Sequence, residues 1–445
     1  MHIYRKLFKI AIPIALQQFL FSSVNFLDTL MIGKLGENSI AAVGLANQFF
    51  FFYNLVIFGL VSGGAIFFAQ FWGKGDLEGL SKSTALTTIS SLFISIPFFL
   101  LTLFSPKFVM TFFSPDPLVI DLGIKYLKIL SISFPIFAVS MVFSFMLRSI
   151  HKAHIPMYTT IVELSTNVLF NYILIFGNFG FPRLGVIGAS IATVISRLVG
   201  LIVLIAIIKI KNLPGMFSIT HIKLLNKGFI KKFFHYTLPT VANEFAWSLG
   251  FTMYSVIYAH MSTKVIAARN IVGTIEGFAW AFSFSLANAA SVIVGNYLGA
   301  KKYNDAYKIS KKIITLTEIV AIISALVTYI LTIYAVNLFN VSQEVKRLVI
   351  IAMAISMGFV PVKIFNGLNV VGFLRAGGDT RFSFAVEAST LWFLGVPLAA
   401  FGGLVLKLSF PIVLLLTMTD ELAKFLILLL RYKSKRWIRN VVENI

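Results

Sequence analysis

The sequence predicts an all-α membrane protein: twelve transmembrane helices in two six-helix lobes related by a pseudo-two-fold axis along the membrane normal. Three observations carry this expectation. Of the 445 residues, 58% are hydrophobic and 12% charged, where a soluble chain would be about 25% charged. The apolar runs reach the ~20 residues a bilayer helix needs and show no strand-like alternation. The second half also repeats the first at a fixed spacing.

The first run, about 10–32, follows the basic start Met1-His2-Ile3-Tyr4-Arg5-Lys6 and contains Pro13. It is too long for a signal-peptide core and lacks a small-residue cleavage site, so it is expected to be retained as a span. The second, about 40–71, exceeds a straight span, and its Gly59, Gly63 and Gly64 permit bending or close helix contact. Runs at about 83–104, 122–147, 157–177 and 186–208 complete the first lobe. Six more follow at about 233–258, 266–297, 309–335, 348–373, 382–404 and 409–431. The expected organisation is a lobe over 1–212, a basic cytoplasmic linker over 213–232 and a lobe over 233–445.

Charge sets the orientation. The formal net charge is +21, from 38 Lys+Arg against 17 Asp+Glu, an excess that on a soluble chain would suggest nucleic acid. With both termini inside, 25 of those cations fall in inside segments and 10 in outside ones. That bias fits the positive-inside rule with cytoplasmic N- and C-termini. Nucleic acid is therefore not an expected partner, whereas membrane lipid is, and the basic linker can touch anionic headgroups. The absence of cysteine excludes disulfides, thiol catalysis and Fe–S clusters. There is no GxxxxGK[ST], GxSxG or HExxH, so no ATP-driven motor or hydrolase is expected and the chain is not read as an enzyme. His151 and His154 lack a third ligand and lie in a basic loop.

At an offset of 226, Pro13 falls on Pro239, Gly73 on Gly299, Lys82 on Lys308 and Pro135 on Pro361. The pairs Gln17-Gln18 and Asn243-Glu244 coincide, and at 227 Arg148 meets Arg375. Each unit has six helices, so both enter the membrane the same way, which implies a cavity between two lobes.

Within the spans, an ionisable side chain costs ~2.5–3.5 kcal/mol on insertion scales, so each asks for a reason. Asp28 lies fifteen residues past Pro13 on the first helix. Glu163, Asn167 and Asn171 recur every four residues and share one face of the fifth, with Ser165 and Thr166 beside them. Oxygens beside a carboxylate suit a hard monovalent cation or a proton; for the asparagines, interhelical hydrogen bonding is the plainer alternative. The second lobe has Tyr254 where Asp28 would recur, but places Glu244 near mid-membrane and Glu276 and Glu387 on later helices. Lys363 and Arg197 are candidate counter-charges. With Trp247, Tyr254, Trp280 and Phe282, these acids could form a cation–π and carboxylate lining for organic cations.

These residues resemble a known family, the multidrug and toxic compound extrusion (MATE) transporters, over nearly the whole chain. The likeness rests on Pro13 with Asp28-Thr29-Leu30-Met31-Ile32-Gly33-Lys34-Leu35-Gly36, on Gly73 and Gly299, and on Leu374-Arg375-Ala376-Gly377-Gly378-Asp379-Thr380-Arg381. Asn171-Tyr172-Ile173-Leu174-Ile175-Phe176-Gly177 and Gly185-Val186-Ile187-Gly188-Ala189 also fit. The resemblance implies secondary antiport, in which Na⁺ or H⁺ entry drives export of amphipathic organic cations. Asp28 matches the family's helix-one aspartate, Asn167 and Asn171 occupy its helix-five cation site, and Thr193 matches its helix-six hydroxyl. These four are the expected coupling site, Na⁺ or H⁺ being the only co-factor. Glu163, Glu244, Glu276, Trp247, Tyr254 and Trp280 are the expected substrate-facing residues. Some members carry an aspartate where Asn171 stands, and the helix-ten aspartate of certain relatives is missing, with Lys363, Asn366 and Asn369 in that stretch. A monomer in the cell inner membrane is expected. The residues leave two other readings open, a lipid-linked saccharide flippase of related architecture and a non-transporting receptor or scaffold. The excess of buried acids over buried bases favours a cationic substrate over a pyrophosphate.

Overall fold

A computed structural model describes residues 2–339 and 341–443, apart from the side chains at 2, 3, 25, 26, 278–281 and 338. Among the described residues every regular element is a helix. The first half contains α1 (His2–Gly33), α2 (Glu37–Lys74), α3 (Leu77–Phe104), α4 (Pro106–Phe113), α5 (Pro117–Leu130), α6 (Ser133–Ser149), α7 (His154–Phe176) and α8 (Val186–Ile210). After the short α9 (Ile219–Lys223) come α10 (Lys227–Met261), α11 (Thr263–Gly299), α12 (Tyr303–Ala335), α13 (Gln343–Gly358) and α14 (Val360–Gly367). α15 (Thr380–Thr390), α16 (Val396–Ala400) and α17 (Phe410–Lys433) complete the chain. π-type segments extend α14 over Leu368–Leu374 and interrupt the eleventh span at Leu391–Gly395 and Phe401–Val405.

The twelve predicted spans are recognisable in these helices. Among the described residues, seven stretches are long and apolar enough to cross alone, including Thr380–Val405. Three further spans are bent, by 50° between α5 and α6, 47° within α11 and 49° between α13 and α14. The remaining two, α10 and α17, are 35 and 24 residues long. α17 carries Asp420, Glu421 and Lys424 at mid-length, which lowers its hydropathy without shortening it.

The chain divides into two compact units, Ile12–Thr237 and Met1–Ala11 with Leu238–Ile445. The dividing points, 11/12 in α1 and 237/238 in α10, differ by 226, the offset of the repeat, and each lies one residue before Pro13 or Pro239. The basic linker belongs to the first unit: the Phe217 ring stacks on Phe143 at 6.1 Å, and Phe229 and Phe233 pack on Phe67 at 6.1 and 5.4 Å.

In the first unit, small residues let backbones approach and hydroxyls satisfy one another. Gly64 of α2 faces Thr87 of α3, whose Oγ1 would lie 2.5 Å from any added Cβ. Gly188 of α8 sits on the backbone of α7, with Leu174 O and C at 2.5 and 2.6 Å from that position. Tyr53, fully buried, donates to Phe134 O at 2.7 Å and pairs with Ser95 Oγ at 2.7 Å, tying α2, α3 and α6. Along α3, Ser83, Thr84, Thr87 and Thr88 donate back to carbonyls three or four residues earlier, so these hydroxyls do not meet the apolar surroundings bare.

In the second unit, the chain after α17 folds back and is locked. Trp437 is fully buried, its ring stacked on Tyr432 and Phe373 at 5.8 and 5.6 Å. Its carbonyl lies so close to Gly377 that no Cβ fits there. Asp379 accepts from Arg431 Nε and Nη2 at 2.6 and 2.8 Å. The Gly-Gly-Asp segment between α14 and α15 thus serves close approach and capture of the tail.

Candidate functional site

In the first unit, α1 presents Asp28 to α7, where Asn171 Nδ2 donates to its Oδ1 and also to Asn167 Oδ1, the latter at 3.0 Å. The four-residue spacing aligns both amides on one face of α7. Asn167 and Asn171 are 1% and 0% exposed, yet Asn171 Oδ1 and Asn167 Nδ2 have no hydrogen-bond partner. Leaving such a buried polar atom unmet costs ~1–3 kcal/mol. Thr193 of α8 is buried, donates to Ala189 O at 3.0 Å and lies beside the Tyr126 hydroxyl, on which Asp28 also acts. Tyr126 is 2% exposed and donates to Asn47 Oδ1 at 3.4 Å. Arg197 stands in the field of Asp28 and Glu163, with its guanidinium donating to Ser133 Oγ at 2.7 Å and lying 4.1 Å over the Phe50 ring. Glu163 packs against the bare Cα of Gly200, Oε2 lying 3.2 Å from where a Cβ would stand. Among the described residues, no group of three or more His, Cys, Asp and Glu is placed to hold a metal, so a cation here would draw on amide and hydroxyl oxygens.

Several acids of the second unit have cationic partners, whereas Glu318 of α12 has a buried carboxylate oxygen with no hydrogen-bond partner. Glu244 accepts from Arg375 Nη2 at 2.8 Å, both residues buried, and Glu276 accepts from Arg269 Nη1 at 2.9 Å. The Arg375–Glu244 contact has a counterpart in the first unit, where Arg148 Nη2 donates to Gln17 Oε1 at 2.6 Å. Each pair spans 131 residues, so by contact Gln17 corresponds to Glu244. Glu387 binds Lys424 Nζ at 2.6 Å; Glu421 and Asp420 stand 3.3 and 4.0 Å from the same nitrogen. Asn366 Nδ2 holds Glu421 Oε2 at 2.7 Å. Trp247, Tyr254 and Phe251 line a cavity with Glu387, Asp420 and Lys424.

Residues 13–173 and 239–401 match the model of the MatE family. The chain belongs to the MatE family. The two matched stretches begin at Pro13 and Pro239, the first pair of the repeat. The MatE chain is 26% identical to the uncharacterized transporter YisQ of Bacillus subtilis (strain 168), over 97% of this chain and 95% of that protein. It is 27% identical to a probable multidrug resistance protein NorM of Streptococcus pneumoniae, over 88% and 86%. The crystal structure of a Vibrio cholerae MATE transporter, VcmN, shares its fold with a TM-score of 0.87 at 17% identity, covering 99% of this chain and 98% of that one. A MATE structure in complex with MaL6 gives 0.86 at 18%, covering 97% and 96%. This is a multi-pass membrane protein of a multidrug efflux transporter family.

Of the expected coupling residues in this MatE chain, Asp28, Asn171 and Asn167 form one hydrogen-bonded chain, and Thr193 lies beside the Tyr126 hydroxyl rather than in that chain. The expected substrate-facing residues separate. Glu163 belongs to the first unit; Glu244 and Glu276 are engaged by arginines; Trp247 and Tyr254 share one cavity. Trp280's side chain lies outside the described residues. Sequence reasoning passes over Tyr126, Asp420, Glu421 and Lys424. The last three had a signal, three ionisable residues at the middle of an apolar span.

Proposed function

We propose that this MatE-family protein is a secondary antiporter of the cell inner membrane, exporting amphipathic organic cations in exchange for Na⁺ or H⁺ by alternating access. It acts as a monomer with cytoplasmic termini, its two six-helix lobes, 1–212 and 233–445, joined by the basic linker. The observation that carries the reading is the Asp28–Asn171–Asn167 chain with its unfilled Asn171 carbonyl.

A proton or Na⁺ taken up at Asp28 cancels the charge that Asn171's amide is holding. With the carboxylate neutralised, the link between α1 and α7 weakens, and a second arrangement of α1 becomes accessible. In the sodium case Asn167, Asn171 and Thr193 supply oxygens that replace part of the ion's hydration shell. Moving an equilibrium from 1:99 to 99:1 needs ~5.5 kcal/mol of differential affinity between the two states. Loss of a full charge within a span is of that order once its hydrogen bonds are included. The organic cation then leaves on the outward side, and release of the coupling ion inside resets the protein.

Dye efflux from vesicles carrying wild type and Asp28→Asn, under separate Na⁺ and pH gradients, tests this. Gradient-driven efflux is expected to fall to background in Asp28→Asn. Equal efflux by both proteins would sink the role of Asp28.

A further inference from the structure

We propose that the second unit contains a receptor for the charged head of the exported compound, a primary ammonium or amidinium on an apolar body, formed by the Asp420 carboxylate and the Tyr254 hydroxyl. The inference rests on the export reading above and assigns it a substrate-recognition site.

The site is a cleft whose roughly 540 Å³ of space between the lining atoms includes open solvent. Asp420 is 3% exposed, and its nearest cation, Lys424 Nζ, stands 4.0 Å away, committed more closely to Glu387 at 2.6 Å and Glu421 at 3.3 Å. One carboxylate of the three is therefore left with the weakest share of a single ammonium. Independently, the Tyr254 hydroxyl is buried in a residue 8% exposed and has no hydrogen-bond partner. A buried hydroxyl normally finds one, because leaving it unmet costs ~1–3 kcal/mol.

The two groups are neighbours by construction. Both crowd the bare Cα of Gly395: a Cβ there would collide with the Tyr254 hydroxyl and lie 2.9 and 3.1 Å from Asp420 Cβ and Cγ. Gly395 closes the π-type segment Leu391–Gly395, and such widened turns frequently occur at functional sites.

The chemistry selects the ligand. An N–H-bearing cation donates to the Asp420 carboxylate and to the phenol oxygen of Tyr254 together, satisfying both. Trp247 and Phe251, 38% and 43% exposed with ring centroids 5.2 Å apart, form an aromatic wall that an apolar body covers and a cation favours. Lys424 is the resident competitor, and Lys363 and Arg269 also line the cavity.

Equilibrium binding of dansylcadaverine to the full chain in detergent, with no ion gradient, tests the inference. This probe carries a primary ammonium on an aromatic body, and its N-acetyl derivative is the neutral control. Asp420→Asn is expected to raise the Kd of dansylcadaverine about tenfold or more, the value of a hydrogen bond to a charged group, and to leave the N-acetyl compound unchanged. Tyr254→Phe, which removes one oxygen and keeps the ring, is expected to raise it about threefold. Size-exclusion elution checks that each variant is folded, and Tyr254→Phe carries the test if Asp420→Asn is not. Unchanged affinity in the folded variants, or equal binding of the N-acetyl compound by wild type, overturns the site. Because the measurement needs no gradient, failure of Asp28-dependent efflux leaves its result readable, and the reverse also holds.

Discussion

Replacing Glu244 and Arg375 one at a time should give unequal damage, and the inequality follows from the first unit's version of the same contact. Arg375→Met leaves Glu244, 9% exposed, without the guanidinium 2.8 Å from its Oε1. Removing one partner of a buried ion pair costs ~3–5 kcal/mol. Glu244→Gln keeps an acceptor oxygen in place, and Arg148 already binds such an amide at Gln17 Oε1, 2.6 Å away, while itself 7% exposed. A guanidinium bound to an amide retains most of the ~1.5–3 kcal/mol of a charged hydrogen bond, so this change should cost only ~1–2 kcal/mol. The expected gap is about 2 kcal/mol, roughly a 30-fold difference in the unfolding equilibrium. Equilibrium unfolding in mixed micelles with increasing SDS, followed by tryptophan fluorescence, measures it. Equal loss from both substitutions would refute the reasoning. So would a Glu244→Gln protein of near-wild-type stability that no longer exports, because the carboxylate would then serve transport rather than hold Arg375.

Two further outcomes rest on single close approaches. Gly188→Ala should destabilise the first unit by ~1–3 kcal/mol, the usual range for overpacking, because the obstacle is the Leu174 backbone rather than a side chain that can turn away; the same SDS titration reads it. Gly377→Ala should displace the Trp437 carbonyl and free the tail, so limited trypsin digestion should cut at Lys435, Arg436 and Arg439 well before the wild type is nicked there. Identical digestion of both proteins would mean that the tail is held without the Gly377 contact.

The spans and the repeat are legible because hydropathy and proline spacing are properties of contiguous sequence. Asp28 stands out for a related reason, as a charge where the run requires none. Glu163, Asn167 and Asn171 are legible as a face because a helix fixes which residues share one. The partners of the other acids are not legible. Arg375 is 131 residues from Glu244 and Lys424 is 37 from Glu387, and nothing local in either stretch names the other. Asp420-Glu421 with Lys424 even imitates an ordinary surface pattern, three and four residues apart on a helix. Only the fold reveals that this cluster is buried and reaches Glu387. The 226 offset likewise sets Gln18 opposite Glu244, whereas the contact made by the arginines sets Gln17 there.

Partners discriminate among buried acids better than burial does. Glu244, Glu276 and Glu387 are each bound by an arginine or lysine within 3 Å, and neutralising any of them leaves that cation without its counter-charge. Such groups resist a change of charge, which suits a structural role. Asp28 takes its hydrogen bond from the amide of Asn171, a neutral donor, so neutralising the carboxylate weakens that link without leaving a cation unpaired. Asp420, whose nearest cation is 4.0 Å away, is likewise without a tight cationic partner, and it faces an aromatic-lined cavity beside an unsatisfied hydroxyl. Asp28 and Asp420, each without a tight cationic partner, thus lie one in each repeat at non-equivalent positions, the second repeat having Tyr254 where Asp28 would recur.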